Sequence, residues 1–321
     1  MLALAPTLPS HHPLLAALTP FEGWVPQKFL PDCIGCLFDR DFAREHHHPD
    51  LFTAHNGEVR GDAVFVRTQL PPFNEEYFEW VDLLESIEAA DGKYVMAELG
   101  AGFGRWGIRA LKAAQAKGLD AEIILVEADP GHMEDLKRFV QDNRKQGDKV
   151  MAVQAAVGPH SGTQLFHVMP EDRHNPSNDL RDAYGQFLIP REANIPFTVS
   201  QENYYGAKVL ENAAINKRAI EVTSVPPSFV LQNHARVDLL DMDVQGQELL
   251  IVLSALDELN KKVKRLHIST HAPQIEERLR ETLTIQGWQC IRDFGCKREN
   301  DTPYGRMPFV DGRQTWINPR L

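Results

Sequence analysis

One stretch limits what this chain can fold into: residues 94–107, YVMAELGAGFGRWG, with IILVEAD at 123–129 on the next apolar run. An apolar run that ends in an acid, turns through glycines and enters a helix is how an open parallel sheet presents a nucleotide site. A second acid closing the following strand is placed to hold ribose hydroxyls. Here the two acids are Glu98 and Glu127. The pattern implies a cofactor that contains adenosine.

The glycines can be framed in two ways. Gly102, Gly104 and Gly107 satisfy the dinucleotide spacing G-x-G-x-x-G. Glu98, Gly100, Gly102 and Gly104 satisfy the acid-x-G-x-G-x-G of S-adenosylmethionine methyltransferases. Physically, Glu98 favours the second frame: an acid at the strand tip suits a cofactor with a cationic amino-acid end, whereas it repels a pyrophosphate. A nicotinamide-dependent oxidoreductase remains the rival reading.

Further along, residues 237–248 read VDLLDMDVQGQE. This segment resembles the FkbM family of methyltransferases, whose fourth core strand typically reads IDLLKIDVEGxE. The resemblance runs from Tyr94 to Phe294 and takes in VMAVQAAVG at 150–158 and IEVTSV at 220–225. Asp241 stands where the family usually has Lys, and Gln245 where it usually has Glu. The resemblance implies a Rossmann-like methyltransferase fold, S-adenosylmethionine as cofactor and O-methylation of a small molecule, with a sugar or natural-product hydroxyl as acceptor. The two departures keep open a protein of the same fold that binds without turnover.

Bulk composition narrows the partners. With 321 residues, 43% of them hydrophobic, the chain can bury a full core. A net charge of -11 with no basic stripe argues against a nucleic-acid partner. The first twenty residues lack a basic n-region and are cut by Pro6, Pro9 and Pro13, so they read as neither signal peptide nor membrane span. Four cysteines in a chain this long make no disulfide framework, which fits a cytoplasmic protein. Cys33 and Cys36 have C-x-x-C spacing, but a zinc site needs two more ligands, for which only His46, His47 and His48 suggest themselves. Histidines on a polar loop are more often simply solvated.

Residues 1–75 are Pro-rich and irregular, with a strand-like piece at 63–67; they read as an N-terminal cap or a dimer arm, which would make the protein a homo-oligomer. Residues 76–321 then alternate helix and strand, as a mostly parallel sheet with right-handed crossovers requires. Strands are expected at 94–98, 122–127, 150–155, 237–243, 264–269 and 288–294. A reversed strand at 314–318 makes seven. Helices are expected at 75–89, 105–117, 131–144, 247–259 and 273–285, from apolar residues at helical spacing. The interval 159–219 is long, polar and outside this alternation, so it reads as a lid insertion facing the substrate.

Methyl transfer is an in-line displacement in which a hydroxyl acceptor must also lose its proton. In a parallel sheet the groups able to help sit at the carboxyl ends of the strands. There Asp243 closes the fourth strand and His271 follows the fifth. A neutral imidazole accepts a proton readily, so His271 is the expected general base and Asp243 the group that orients ligands. Asp241 shares a face with Asp243, and the pair suits magnesium in ligand type, but two acids alone do not make a metal site. Within the strand, His267 reads as a core residue. For the cofactor, Gly100, Gly102 and Gly104 allow close backbone approach, Glu98 meets the amino-acid end, Glu127 accepts from the ribose, and Gln154 with Ala155 borders adenine. Tyr77, Trp80, Arg105 and Trp106 are candidates for the pocket wall.

Overall fold

The structure is a computed structural model that describes residues 11–45, 55–169, 185–189 and 196–321. His46 to His48, the stretch 170–184 and residues 190–195 lie outside the described residues, and with them the histidine half of the zinc idea and part of the lid expectation.

Seven strands form the central sheet: β1 (Lys93–Leu99), β2 (Asp120–Glu127), β3 (Lys149–Gln154), β4 (Leu239–Met242), β5 (Arg265–Thr270), β6 (Gln289–Phe294) and β7 (Gly312–Ile317). Their order is β6-β7-β5-β4-β1-β2-β3. Within it β7 runs antiparallel to both β5 and β6. This is the Rossmann-like methyltransferase fold, with the reversed strand where the sequence placed it.

Why the sheet is buried on both sides follows from the residue pattern. Along β1, Met96 faces one way and Val95, Ala97 and Leu99 the other, the two-residue period of a strand. On the Met96 face lie α1 (Tyr77–Glu88), α2 (Arg105–Ala116) and α3 (Pro130–Asn143). On the other lie α4 (Glu248–Ser254), α5 (Leu256–Lys262) and α6 (Pro273–Ile285). The sequence suggested one helix over 247–259. It is instead broken at Ala255, whose φ of -128° and ψ of 17° leave the helical region, and restarts with Asp257 and Glu258 in a new first turn.

The N-terminal residues are more ordered than their proline content suggested. Glu22–Pro26, Ala63–Arg67 and His55–Arg60 form a three-stranded antiparallel sheet, and Phe29–Pro31 pairs with Leu37–Asp39. Phe38 and Phe42 then join Phe103 and Phe139 in the core over α2 and α3. Two polar ties fix this covering: the buried ion pair of Arg109 with Asp32 at 3.0 Å, and Asn143, whose side chain accepts from Leu37 N and donates to Leu37 O.

Within 159–219 the described residues form an antiparallel sheet rather than a plain loop. Gly162–Val168, Lys217–Val225, Ala207–Asn212 and Thr198–Tyr204 stand in that order, with the short strand Ala156–Val157 parallel to Lys217–Val225. Tyr204 ties the sheet to the main domain by donating its hydroxyl to Asp129, 3.0 Å from Oδ2. Among the described residues no helix is long and apolar enough to cross a membrane.

Candidate active site

A cavity of about 630 Å³ opens at the carboxyl ends of β1, β2, β4 and β5, within the range of roughly 300–1,000 Å³ usual for small-molecule sites. Its floor is the glycine loop. Gly100 has φ +80°, and a Cβ there would stand 1.8 Å from the carbonyl oxygen of Asp243, so only glycine lets β1 and β4 approach this closely. Gly102 lines the cavity as well. Gly104 does not: it is the N-cap of α2, and its Cα faces Leu125 and Leu136.

Glu98 and Glu127, the two strand-tip acids, both line the cavity. Glu98 accepts the N–H of Gly107 at 2.8 Å, and its carboxyl is pushed well above the ordinary range by burial and then by Asp241. Glu127 accepts from Gly102 N and Asp129 N, each at 2.7 Å. A carboxylate oxygen has two lone-pair sites, so each oxygen retains one for a ligand hydroxyl. Ala155 lines the cavity where adenine was expected, but Gln154 is exposed on the strand and does not, because the pleat turns it outward. These features fit S-adenosylmethionine: a backbone cradle, an acid for the ribose, and an acid near the amino-acid end.

Beyond the loop the cavity is lined by Asp241 and Asp243 from the end of β4. Asp243 keeps 41% of its side chain exposed and is within reach of an acceptor. Burial raises its carboxyl, but His271 outweighs that and holds it below the usual range. His271 itself is not part of the wall. Its Nδ1 lies 2.8 Å from Glu248 Oε1, and its Nε2 faces Asp243 Oδ1 at 3.3 Å and Asp311 Oδ1 at 3.7 Å. Burial pushes the imidazole down, yet Asp243 and Glu248 together lift its pKa to about 10. The environment of His271 therefore favours the charged ring over the neutral base expected from the sequence, with Nε2 facing Asp243.

Several wall residues escaped the sequence reading because they come from distant parts of the chain. Glu75, Glu76 and Glu79 enter from the start of α1, and Val310, Asp311 and Arg313 from the approach to β7. Arg313 pairs with Glu79 at 3.0 Å and Arg105 with Glu76 at 2.6 Å. Arg105 and Trp106 line the cavity as expected, whereas Tyr77 and Trp80 are core residues. The insertion contributes Phe166, Gln186 and Leu188. Among the described residues no group of three or more His, Cys, Asp or Glu side chains is arranged to hold a metal ion, and Cys33 and Cys36 are buried and form no disulfide.

A mostly parallel sheet with this strand order, opening a glycine-floored pocket lined by two strand-tip acids, defines a Rossmann-like methyltransferase fold. The methyltransferase FkbM domain matches residues 98–289, and the chain belongs to that family. A curated protein of Jannaschia sp. (strain CCS1) named "Putative methyltransferase" is 28% identical over 215 residues, which is 67% of this chain and 69% of that protein. Methyltransferase FkbM from Methylobacillus flagellatus KT aligns with a TM-score of 0.42 and 12% identity over 72% of this chain. The aligned part spans 45% of that structure's length. Precorrin-6y C5,15-methyltransferase from Geobacter metallireducens GS-15 aligns with a TM-score of 0.36 and 13% identity, covering 77% of this chain and 90% of that one. Membership of the family sets aside the nicotinamide reading of the glycines.

Proposed function

We propose that this methyltransferase uses S-adenosylmethionine to O-methylate a hydroxyl of a small molecule, a sugar or natural product being the acceptor class. The observation that carries this reading is one cavity lined by Glu127 and the glycine loop together with Asp241 and Asp243. When bound, the cofactor supplies an electrophilic methyl group on a sulfonium. The chain's own part is to align and to manage a proton. Gly100 and Gly102 bring backbone up to the ligand, Glu127 accepts from the ribose, and Glu98 stands at the amino-acid end. Asp243, fixed by His271 and by the side chain of Gln245 at 3.0 Å, orients the acceptor hydroxyl. Paired Glu79 and Arg313 add further polar groups on the acceptor side, as a polyhydroxylated ligand needs.

Calorimetric titration with S-adenosylmethionine and with NAD(P), followed by methyl transfer from labelled cofactor to a panel of sugars and natural-product alcohols, tests the reading. Methylation of a panel hydroxyl is expected. Cofactor binding without transfer to any acceptor would favour a binding protein on this fold, and binding of NAD(P) instead would overturn the cofactor.

A further inference from the structure

One row of the central register runs Glu98 on β1, Asp241 on β4, His267 on β5 and Thr315 on β7. Register partners point to the same face of a sheet, so these four polar side chains form a line beneath α1. The line has a dry end and a wet end. At the dry end Asp82 of α1, 1% exposed, accepts from His267 Nδ1 at 2.7 Å, Thr315 Oγ1 at 2.5 Å, and Arg265 and Arg292, each at 2.6 Å. At the wet end Glu98 and Asp241 line the cavity.

His267 joins the two. It is 2% exposed, its Nδ1 is held by Asp82, and its Nε2 is buried without a hydrogen-bond partner. A buried ring nitrogen left unpaired is rare enough to call for a reason. In imidazole the two nitrogens lie on different sides of the ring, so Nε2 turns away from Asp82. Besides Asp82, the charges that the His267 ring acts on include the cavity acids Asp241 and Glu79.

We propose that Asp241 is the group that takes the acceptor's hydroxyl proton, and that His267, gripped by Asp82, is the positioning residue that keeps Asp241 ionised for the task. The proposal rests on the methyl-transfer reading above. In the step the acceptor O–H bond breaks and its proton passes to a carboxylate oxygen of Asp241. The oxygen's electron pair forms the new bond to the methyl carbon while the carbon–sulfur pair leaves with sulfur. The proton then returns to solvent through the cavity mouth.

The surrounding charges suit this role. Burial raises Asp241, His267 opposes it, Asp243 adds to the rise and Arg313 counters, leaving the carboxyl at about 6. Glu79 and Asp82 face the row from α1, Glu98 from β1, and Arg265 and Arg292 reach it through Asp82. Burial disfavours the charged form of His267, but Asp82 more than compensates and its pKa lies above the ordinary value. The row therefore sets an imidazole whose proton is held more firmly than usual beside a carboxylate basic enough to accept one.

Infrared titration of the whole protein tests the coupling without any acceptor. The carboxylic-acid carbonyl band missing from Asp241→Asn identifies Asp241, and its midpoint in the wild type should fall at about 6. Removing the neighbouring cation with His267→Gln should raise that midpoint by about one pH unit or more. On any alcohol that the wild type methylates, the acid limb of kcat should move up by the same amount in His267→Gln, with activity recovered at alkaline pH. Asp241→Asn should lower turnover by about 10²-fold or more while still binding S-adenosylmethionine. An unmoved midpoint in folded His267→Gln, or near-normal turnover in Asp241→Asn, would overturn the proposal. If His267→Gln does not fold, nitrogen NMR of histidine-labelled protein replaces it, and an identical His267 titration in wild type and Asp241→Asn would be equally fatal. Absence of transfer by the wild type to every alcohol would count against the function itself, a result the infrared midpoints do not share.

Discussion

Glu127 Oε2 accepts the N–H of Gly102 at 2.7 Å, so the acid placed to hold ribose also pins the glycine loop. Replacing it does two things at once. Glu127→Ala should weaken S-adenosylmethionine by about tenfold or more, since charge-assisted hydrogen bonds contribute about 1.5–3 kcal/mol each. It should also lower stability by about 1–3 kcal/mol, because the N–H groups of Gly102 and Asp129 lose their acceptor. Glu127→Gln, which keeps one acceptor oxygen, should fall between. Calorimetry and urea unfolding of the same samples would separate the two losses, and an unchanged affinity in a folded variant would remove Glu127 from the site.

Gly100→Ala puts a methyl group where the Asp243 carbonyl stands, in a left-handed conformation that by itself costs about 1–2 kcal/mol. Because the obstructing atom is backbone, the strand ends must part. The expected result is a loss of cofactor binding larger than that from Glu127→Ala, together with a lower urea midpoint. Wild-type affinity in Gly100→Ala would show that the close approach of β1 and β4 is not needed.

His271 has a folded-state pKa of about 10, above its unfolded value of about 6.5. A raised pKa means that the proton stabilises the fold: the contribution is complete below about 6.5 and disappears as pH climbs through about 10. The stability gap between wild type and His271→Gln should therefore be widest near pH 6 and close towards pH 10, read from urea midpoints across the range. Asp243→Asn removes the largest of the groups that raise the ring, so the His271 NMR titration should fall towards its ordinary value, with acceptor turnover lowered as well. A His271 that titrates near neutrality in the wild type would restore the base role expected from sequence alone.

Asp82 is the acceptor for four donors in the dry layer under α1. Asp82→Ala leaves the His267 imidazole without its carboxylate and two guanidinium groups with Glu85 alone, and breaking a buried set of this kind typically costs about 3–5 kcal/mol. Urea unfolding should show a loss of that size, far above the effect of an exposed pair such as Lys149 with Asp120. A loss below about 1 kcal/mol would mean that water reaches the layer.

The middle of the central sheet was legible because its strands are rich in β-branched and aliphatic residues, as in Ile123 to Val126, and the cofactor end because its glycines and acids are close in sequence. The insertion was not. Thr198–Tyr204 reads TVSQENY and is exposed along most of its length, so it carries no alternation to betray a strand. Half of the site was hidden for another reason: Glu79 and Arg313 meet across 234 positions, and Asp82 and His267 across 185. Only register and helix placement bring such pairs together. The charge state of His271 was equally out of reach, since it depends on Glu248 and Asp243 converging on one ring.

The reversed strand β7 sits between β5 and β6, pairing with both through residues 312–317 and burying Trp316 fully. Until the ribosome has passed Ile317, β5 has a vacant edge and β6 has no place in the sheet. In sequence the glycine loop comes early, whereas Asp311 and Arg313 of the wall come with the late strand that the sheet needs to join β5 to β6. A chain halted at residue 300 would carry the cofactor motif and still lack the wall that Val310, Asp311 and Arg313 supply.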